Sequence, residues 1–234
     1  MKKSLLVVAL LSAFAPMLAQ AEAGDIVVRL RTAYVNPNEK SKLGETVNAN
    51  VAAGAMTASS NLAVGNNTIP ELDISYYITK NIAAELILAV GTKHSVSVVG
   101  DSVSPVVVGN QDLGKVNLLP PTLTAQWHFN PDQTIDPYIG AGLNYTHSFD
   151  RNLTFASGAL TGDEIRIERD MFGLVAQAGV DINLGSGWLV NADVKYVDVS
   201  TDVKTRANSS AAWVKIDKLD INPWIFGVGI GKRF

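Results

Sequence analysis

The chain closes on INPWIFGVGIGKRF, in which Trp224, Phe226, Val228 and Ile230 stand at every second position, Gly227, Gly229 and Gly231 separate them, and Phe234 comes last. A period of two belongs to a strand, whose successive side chains leave on opposite faces. Here one face carries every large apolar group and the other almost no side chain at all. A strand of this kind needs an apolar surrounding on one side and a narrow space on the other.

The same period recurs along the sequence. ELDISYYIT sets Leu72, Ile74, Tyr76 and Ile78 against Asp73, Ser75, Tyr77 and Thr79, and IAAELILAV sets Ile82, Ala84, Leu86, Leu88 and Val90 against Ala83, Glu85, Ile87 and Ala89. PTLTAQWHF, PYIGAGLNYT, LVAQAGVDI and WLVNADVKY alternate likewise, and with DIVVRLR near the start and the closing strand they make eight. A soluble sandwich also alternates, so the direction of the apolar face rests on three further features. Tight connections (79–81, 130–134, 183–187) alternate with long ones (37–68, 92–115, 147–169, 200–217), the habit of outer-membrane barrels. Aromatics such as Tyr76, Trp127, Phe129, Trp188, Tyr196, Trp224 and Phe234 gather at strand ends, as interfacial girdles require. The polar face carries Arg29, Arg31, Asp73, Glu85, Asp181, Asp193, Lys195 and Arg233, four of each sign. Inside a closed barrel these groups pair into a mid-barrel network, whereas a Lys or Arg facing lipid at mid-membrane costs roughly 2 to 4 kcal/mol. The expected fold is therefore all-β, an eight-stranded antiparallel transmembrane barrel with four long external loops.

Export is written at the other end of the chain. Residues 1–21 pair Lys2 and Lys3 with an apolar stretch and the small-x-small triplet Ala19-Gln20-Ala21, the layout of a cleaved signal peptide. A membrane anchor is the competing reading, but Ser12 and Pro16 interrupt the stretch and it is shorter than the roughly 20 residues a spanning helix needs. The barrel is then expected over 22–234. Without Lys2 and Lys3 the chain holds 17 basic against 22 acidic residues, a net charge of −5, which gives no basic surplus for nucleic acid. With no cysteine and 47% hydrophobic residues, the chain is neither a disulfide-stapled module nor a disordered tail.

The blocks NLLPPTLTAQWHF, DPYIGAGLNYT, LVAQAGVDI, WLVNADVKYVDVST and LDINPWIFGVGIGKRF, in this order over nearly the whole mature chain, resemble the OmpW family of small outer-membrane proteins. The resemblance implies residence in the outer membrane of a Gram-negative bacterium and passive uptake of small hydrophobic molecules, which enter from outside and leave sideways into the membrane. It implies as partners outer-membrane lipid and lipopolysaccharide, the hydrophobic cargo, and the barrel-insertion machinery acting through Phe234. Two positions depart from the family pattern: Lys232 replaces a usual aromatic in the closing signature, a change that bears on insertion, and Phe172 replaces a frequent tryptophan, a change that bears on a constriction.

The residues make this function physically sensible. An eight-stranded barrel is only wide enough for its own side chains and is a poor aqueous pore. In YVDVSTDV the alternation changes phase, so that Val197, Val199 and Val203 share the parity of the lumen-facing Asp193 and Lys195. The outer lumen is thus expected to be apolar. Ile87 has inward parity and is expected to line it; Phe172 reaches inward only if a bulge falls near Asp170 or Met171. Pro120 and Pro121 lack N–H groups and remove ladder hydrogen bonds from an interior strand, which marks a lateral opening between the third and fourth strands. The plainer reading is that the two prolines begin the strand after a long loop. Residues 48–67, small and weakly charged, either cap a hydrophobic pocket or form an ordinary mobile loop.

Other chemistry finds little support. His147 and Ser148 in THSFD point to opposite faces of one strand and cannot act together. His94, His128 and His147 lie on three strands, with His128 near the far end, so no shared metal site is expected. GVGIG precedes no helix and is not a phosphate loop, and no cofactor is implied. Against the channel stands a non-transporting structural or receptor barrel that acts through its external loops.

Overall fold

The computed structural model describes residues 22–90, 92–100, 110–207 and 210–234; the expected signal peptide, 1–21, lies outside the described residues. Among the described residues there are fourteen strands and one helix. Eight strands close a ring by antiparallel pairing: β1 (Ile26–Asn36), β3 (Asn67–Tyr77), β4 (Ile82–Ala89), β7 (Thr122–His128), β8 (Ile135–Asp150), β11 (Asp170–Gly185), β12 (Trp188–Arg206) and β14 (Trp224–Arg233), which returns to β1. Pairing of the first strand with the last removes the free edge that an open sheet would present to hydrocarbon. The first and last strands meet in the register Leu30↔Ile230, and at the end of the seam Ile26 and Phe234 exchange backbone hydrogen bonds of 3.1 and 2.8 Å.

Short connections, the first described residues from Glu22 and the C-terminal Phe234 lie at one end, the turn end. The tightest connection is Ser186-Gly187, where φ is 51° and 78°. Positive φ at both central residues is the hairpin geometry that matches strand twist.

The other end is a crown. The segments expected as loops fold into β2 (Asn61–Val64), β5 (Thr92–Val99), β6 (Gln111–Leu119), β9 (Asn152–Thr154), β10 (Glu164–Ile167), β13 (Val214–Asp220) and α1 (Leu43–Asn50). Leu43 and Val47 of α1 and the following Ala55 and Met56 are buried in one apolar cluster with Leu62, Val96, Val98 and Leu153, and α1 packs against β13 and β2. The Asn48 side chain ties the segment back, donating to Met56 O at 2.7 Å and accepting from Met56 N at 3.1 Å.

The outer wall is apolar, with Leu30, Leu72, Leu123, Leu143, Leu174 and Val228 among its exposed groups. Aromatics band it twice: Tyr76, Trp127, Phe129, Trp188 and Phe234 at the turn end, and Tyr34, Tyr145, Phe172 and Trp224 beneath the crown. Lys232 belongs to the turn-end band, its ammonium 5.1 Å from the Trp188 ring centroid and donating to Ser186 O. A long cationic side chain at a membrane edge reaches for the interface in this way.

The glycine face of β14 looks into the lumen. A Cβ on Gly229 would lie 2.7 Å from Arg31 Cα and clash with the backbone oxygen of Leu30, atoms that cannot move without shifting β1. Gly229→Val is therefore expected to prevent closure of the β1–β14 seam. The check is the fraction of protein showing heat-modifiable gel migration after refolding into detergent, which should fall severalfold.

Candidate functional site

The inward residues of the mid-barrel form a salt-bridged plug. The Arg29 guanidinium spans Asp181 at 2.5 and 3.2 Å and also reaches Glu85 at 3.3 Å and Ser75 Oγ at 2.6 Å. Arg31 pairs with Asp73 at 2.5 Å, Glu71 at 2.9 Å and Asp193 at 3.0 Å. Lys195 completes the layer, 2.7 Å from Glu71 and 3.0 Å from Asp193. Gln177 bridges Glu85 and Asp193, and Gln126 also donates to Glu85 at 2.8 Å. These side chains are almost wholly sealed from solvent. Charges removed from water are tolerable only when paired; Arg31 Nε and Nη2 and both Asp73 oxygens are held by ion pairing without hydrogen-bond geometry.

Two adjustments to the expected network follow. Glu71 is a full member beyond the expected set, with the parity of Asp73 on the same strand, β3. Arg233 is not a member: it sits at the turn end with its guanidinium 5.3 Å from the Tyr77 ring centroid and its Nε 3.9 Å from Asp25. Beneath the plug His128 lies between the rings of Tyr77 and Tyr138, with Nδ1 2.7 Å from Asp136. His128, Asp136 and Asp181 have metal-compatible spacing. Asp181, however, holds Arg29 and Asn191, so its oxygens are already engaged.

Above the plug the lumen opens into an apolar chamber with a cavity volume of about 110 Å³. Ile87, Val197, Val199 and Val203 line it, as do Val175 and Met171. Lys195 and Glu71 form its floor, while Thr92, His94, Thr122, Asn144, Thr146 and Thr201 supply the remaining polar lining. The phase change in β12 produces the apolar wall: inward positions switch from Asp193 and Lys195 to valines as the strand leaves the membrane layer.

Phe172 is a correction. The register of β11 against β8 runs without a bulge from Asp170↔His147 through Phe172↔Tyr145, so Met171 takes the inward position and Phe172 faces out, 75% exposed. Its ring packs 5.1 Å from Tyr145, in the outer aromatic band. His147 and Ser148 likewise diverge, His147 partly exposed beside Asp170 and Ser148 buried.

The wall beside the chamber is interrupted. β6 runs to Leu119 and β7 resumes at Thr122, so Pro120 and Pro121 break a strand rather than begin one. The β4–β7 ladder ends at Ile87↔Thr122 and the β5–β6 ladder starts at Thr92↔Leu118. Among the described residues, no backbone pair joins the stretch between them. Ile87, Ala89 and Pro120 face the chamber here, and Val90 is exposed on the outer surface. A second interruption, between Gly173↔Val199 and Ile167↔Val203, is bridged by side chains: Glu168 N donates to Thr201 Oγ1 at 3.1 Å.

A closed eight-stranded outer-membrane barrel with a charged plug and an apolar outer chamber is the class these observations define. The OmpW family model matches residues 22–234, and the chain belongs to the OmpW family. It is 33% identical to outer membrane protein W of Vibrio cholerae over 238 residues, covering 100% of each chain. It is 28% identical to outer membrane protein AlkL of Ectopseudomonas oleovorans over 191 residues, covering 79% of this chain and 74% of that one. Among solved structures, OprG from Pseudomonas aeruginosa superposes with a TM-score of 0.75 at 27% identity, covering 91% of this chain and 97% of that one. AlkL in lipid bilayers gives 0.64 at 27%, covering 92% of each. The protein resides in the outer membrane.

The plug supplies its own test. Arg31→Leu leaves Glu71, Asp73 and Asp193 facing one another with a single cation, Lys195, among them. Stripping one partner from a buried ion pair costs about 3–5 kcal/mol, so the urea midpoint of the barrel in detergent should fall sharply. Arg31→Leu combined with Asp73→Leu should recover part of that loss.

Proposed function

We propose that this protein admits small hydrophobic molecules from outside the cell into the apolar chamber and releases them sideways into the outer membrane, through the wall between β4–β5 and β6–β7 beside Pro120 and Pro121. The observation that carries this reading is the pairing of an apolar chamber with a charged floor and an interrupted side wall. An apolar molecule gains roughly 25 cal/mol per Å² of surface taken from water and finds nothing comparable in the plug below. To continue along the axis it must part ion pairs that are stable only while they touch. The sideways path asks for less. Each absent ladder bond removes about 1 kcal/mol of resistance, and Val90 and Leu123 carry the apolar surface on to lipid.

In this reading Ile87, Val197, Val199 and Val203 are the channel-lining residues and Pro120 with Pro121 is the exit. Transport is passive, and apolar burial by itself discriminates weakly among shapes of similar size.

The experiment compares uptake of a medium-chain hydrophobic compound by cells carrying the native protein, a variant with Pro120→Ala and Pro121→Ala, or an empty vector, with folded barrel matched by heat-modifiable migration. Native-dependent uptake that drops at least severalfold in the proline variant is expected. Uptake untouched by the variant would keep transport and remove this exit. Native protein no better than the vector across several compounds would remove transport and turn attention to the crown.

A further inference from the structure

Above the floor, where the Lys195 ammonium gives two of its three N–H groups to Glu71 and Asp193, the polar side chains that line the chamber share one chemical property: their hydrogen-bond donors are already given to the protein. Thr92 Oγ1 donates to Leu118 O, Thr122 Oγ1 to Pro120 O at 3.2 Å and Thr201 Oγ1 to Asp202 O at 3.4 Å. Asn144 spends its amide on Thr122 Oγ1 at 2.8 Å and Pro120 O at 3.4 Å. Thr146 Oγ1 donates to Asn144 Oδ1 at 2.7 Å.

His94 obeys the same rule through its tautomer. Its Nδ1 lies 2.9 Å from Gly65 O, and a carbonyl can only accept, so Nδ1 carries the hydrogen. A neutral imidazole with hydrogen on Nδ1 presents Nε2 as an acceptor. The ring lies on β5 above the outer aromatic band, and burial among apolar neighbours holds its pKa below the ordinary value, with the Gly65 carbonyl opposing. It is therefore neutral at pH 7.

What remains free is lone pairs: Nε2 of His94, the hydroxyl oxygens of Thr92 and Thr146, which accept nothing among the described residues, and one lone pair on Asn144 Oδ1. The plug beneath has an excess of acceptors: Arg29, Arg31 and Lys195 face Glu71, Asp73, Glu85, Asp181 and Asp193, and the ammonium of Lys195, among the described residues the one charged donor that lines the chamber, is clasped by two of these carboxylates.

We propose that the chamber selects apolar molecules that carry a single hydroxyl, such as medium-chain aliphatic alcohols, over esters, ketones, alkanes and carboxylates of the same length. The inference rests on the chamber being the cargo site and names the class of cargo. A hydroxyl entering the chamber donates to Nε2 of His94 or to Oγ1 of Thr146 while the chain lies against the valines. An ester or ketone carbonyl, which accepts only, meets lone pairs and loses the hydrogen bond that water gave it; an unsatisfied buried acceptor is unfavourable. A carboxylate meets the carboxylate-rich floor as well, and an ammonium would have to shed its hydration to enter.

The test is equilibrium binding of 1-decanol, methyl nonanoate and decane to the full chain in lipid nanodiscs, with empty nanodiscs as the blank for partition into lipid. One net hydrogen bond corresponds to an affinity gain of about 3- to 10-fold, so decanol should exceed the ester by at least that ratio. His94→Phe and Thr146→Val, each verified as folded by heat-modifiable migration, should each reduce the ratio, and together should bring it near one. If decanol, ester and decane all bind native protein equally, the hydroxyl preference is overturned while the chamber stands as an apolar site. If none binds above the blank, both this inference and the cargo-site reading fall. A native preference that survives both substitutions overturns the assignment to these lone pairs.

Discussion

Inside a bilayer a backbone N–H has no water to fall back on, and the rest of this structure depends on meeting that constraint by closure. The ring is completed where β1 meets β14, two strands nearly 200 residues apart in sequence. Their approach is possible because one of them has no side chains to place on the inner face at Gly227, Gly229 and Gly231. The glycines give Arg31 and Arg29 of β1 room to lie across the lumen, where the guanidinium groups reach acids on β3, β4, β11 and β12. Closure and plug are thus parts of a single packing solution.

The plug is costly to build and correspondingly hard to open. Burying ions repays their desolvation only when geometry and hydrogen bonding are both good, and here the guanidinium groups, Gln177, Gln126 and Asn191 knit acids from several strands. The plug also divides the barrel into a polar lower part and an apolar upper part, and that division gives the chamber a floor.

The period-two pattern made the barrel legible from the sequence, because lipid on one side and a narrow lumen on the other leave little tolerance for a misplaced charge. Parity sets Ile87, Val197, Val199 and Val203 on the inner face, the side on which the chamber lies. Glu71 obeys the same parity as Asp73. Phe172 has outward parity, and an unbroken ladder with β8 gives no bulge to turn it inward. Parity says nothing about height, and Arg233, at the turn-end limit of β14, lies a long way from mid-barrel. The crown was the least legible part. Its strands β2, β5, β6, β9, β10 and β13 are short, and α1 buries Leu43 and Val47 against residues far away in sequence, contacts that no local pattern announces.

On the proposed reading the position of the wall interruption is as important as its existence. An opening lower in the wall would expose the charged plug to lipid, where unmet polar groups are heavily penalised. One higher in the crown would discharge into water. At Pro120 the inner side is chamber and the outer side is Val90 above Leu123, so an apolar molecule would stay in apolar contact throughout. Tyr145 N donates to Pro121 O at 3.0 Å, so the strand remains anchored to β8 on one side while it lacks backbone pairs on the other. The interruption can therefore yield on one flank without loosening the ring, because β7 and β4 remain paired below it.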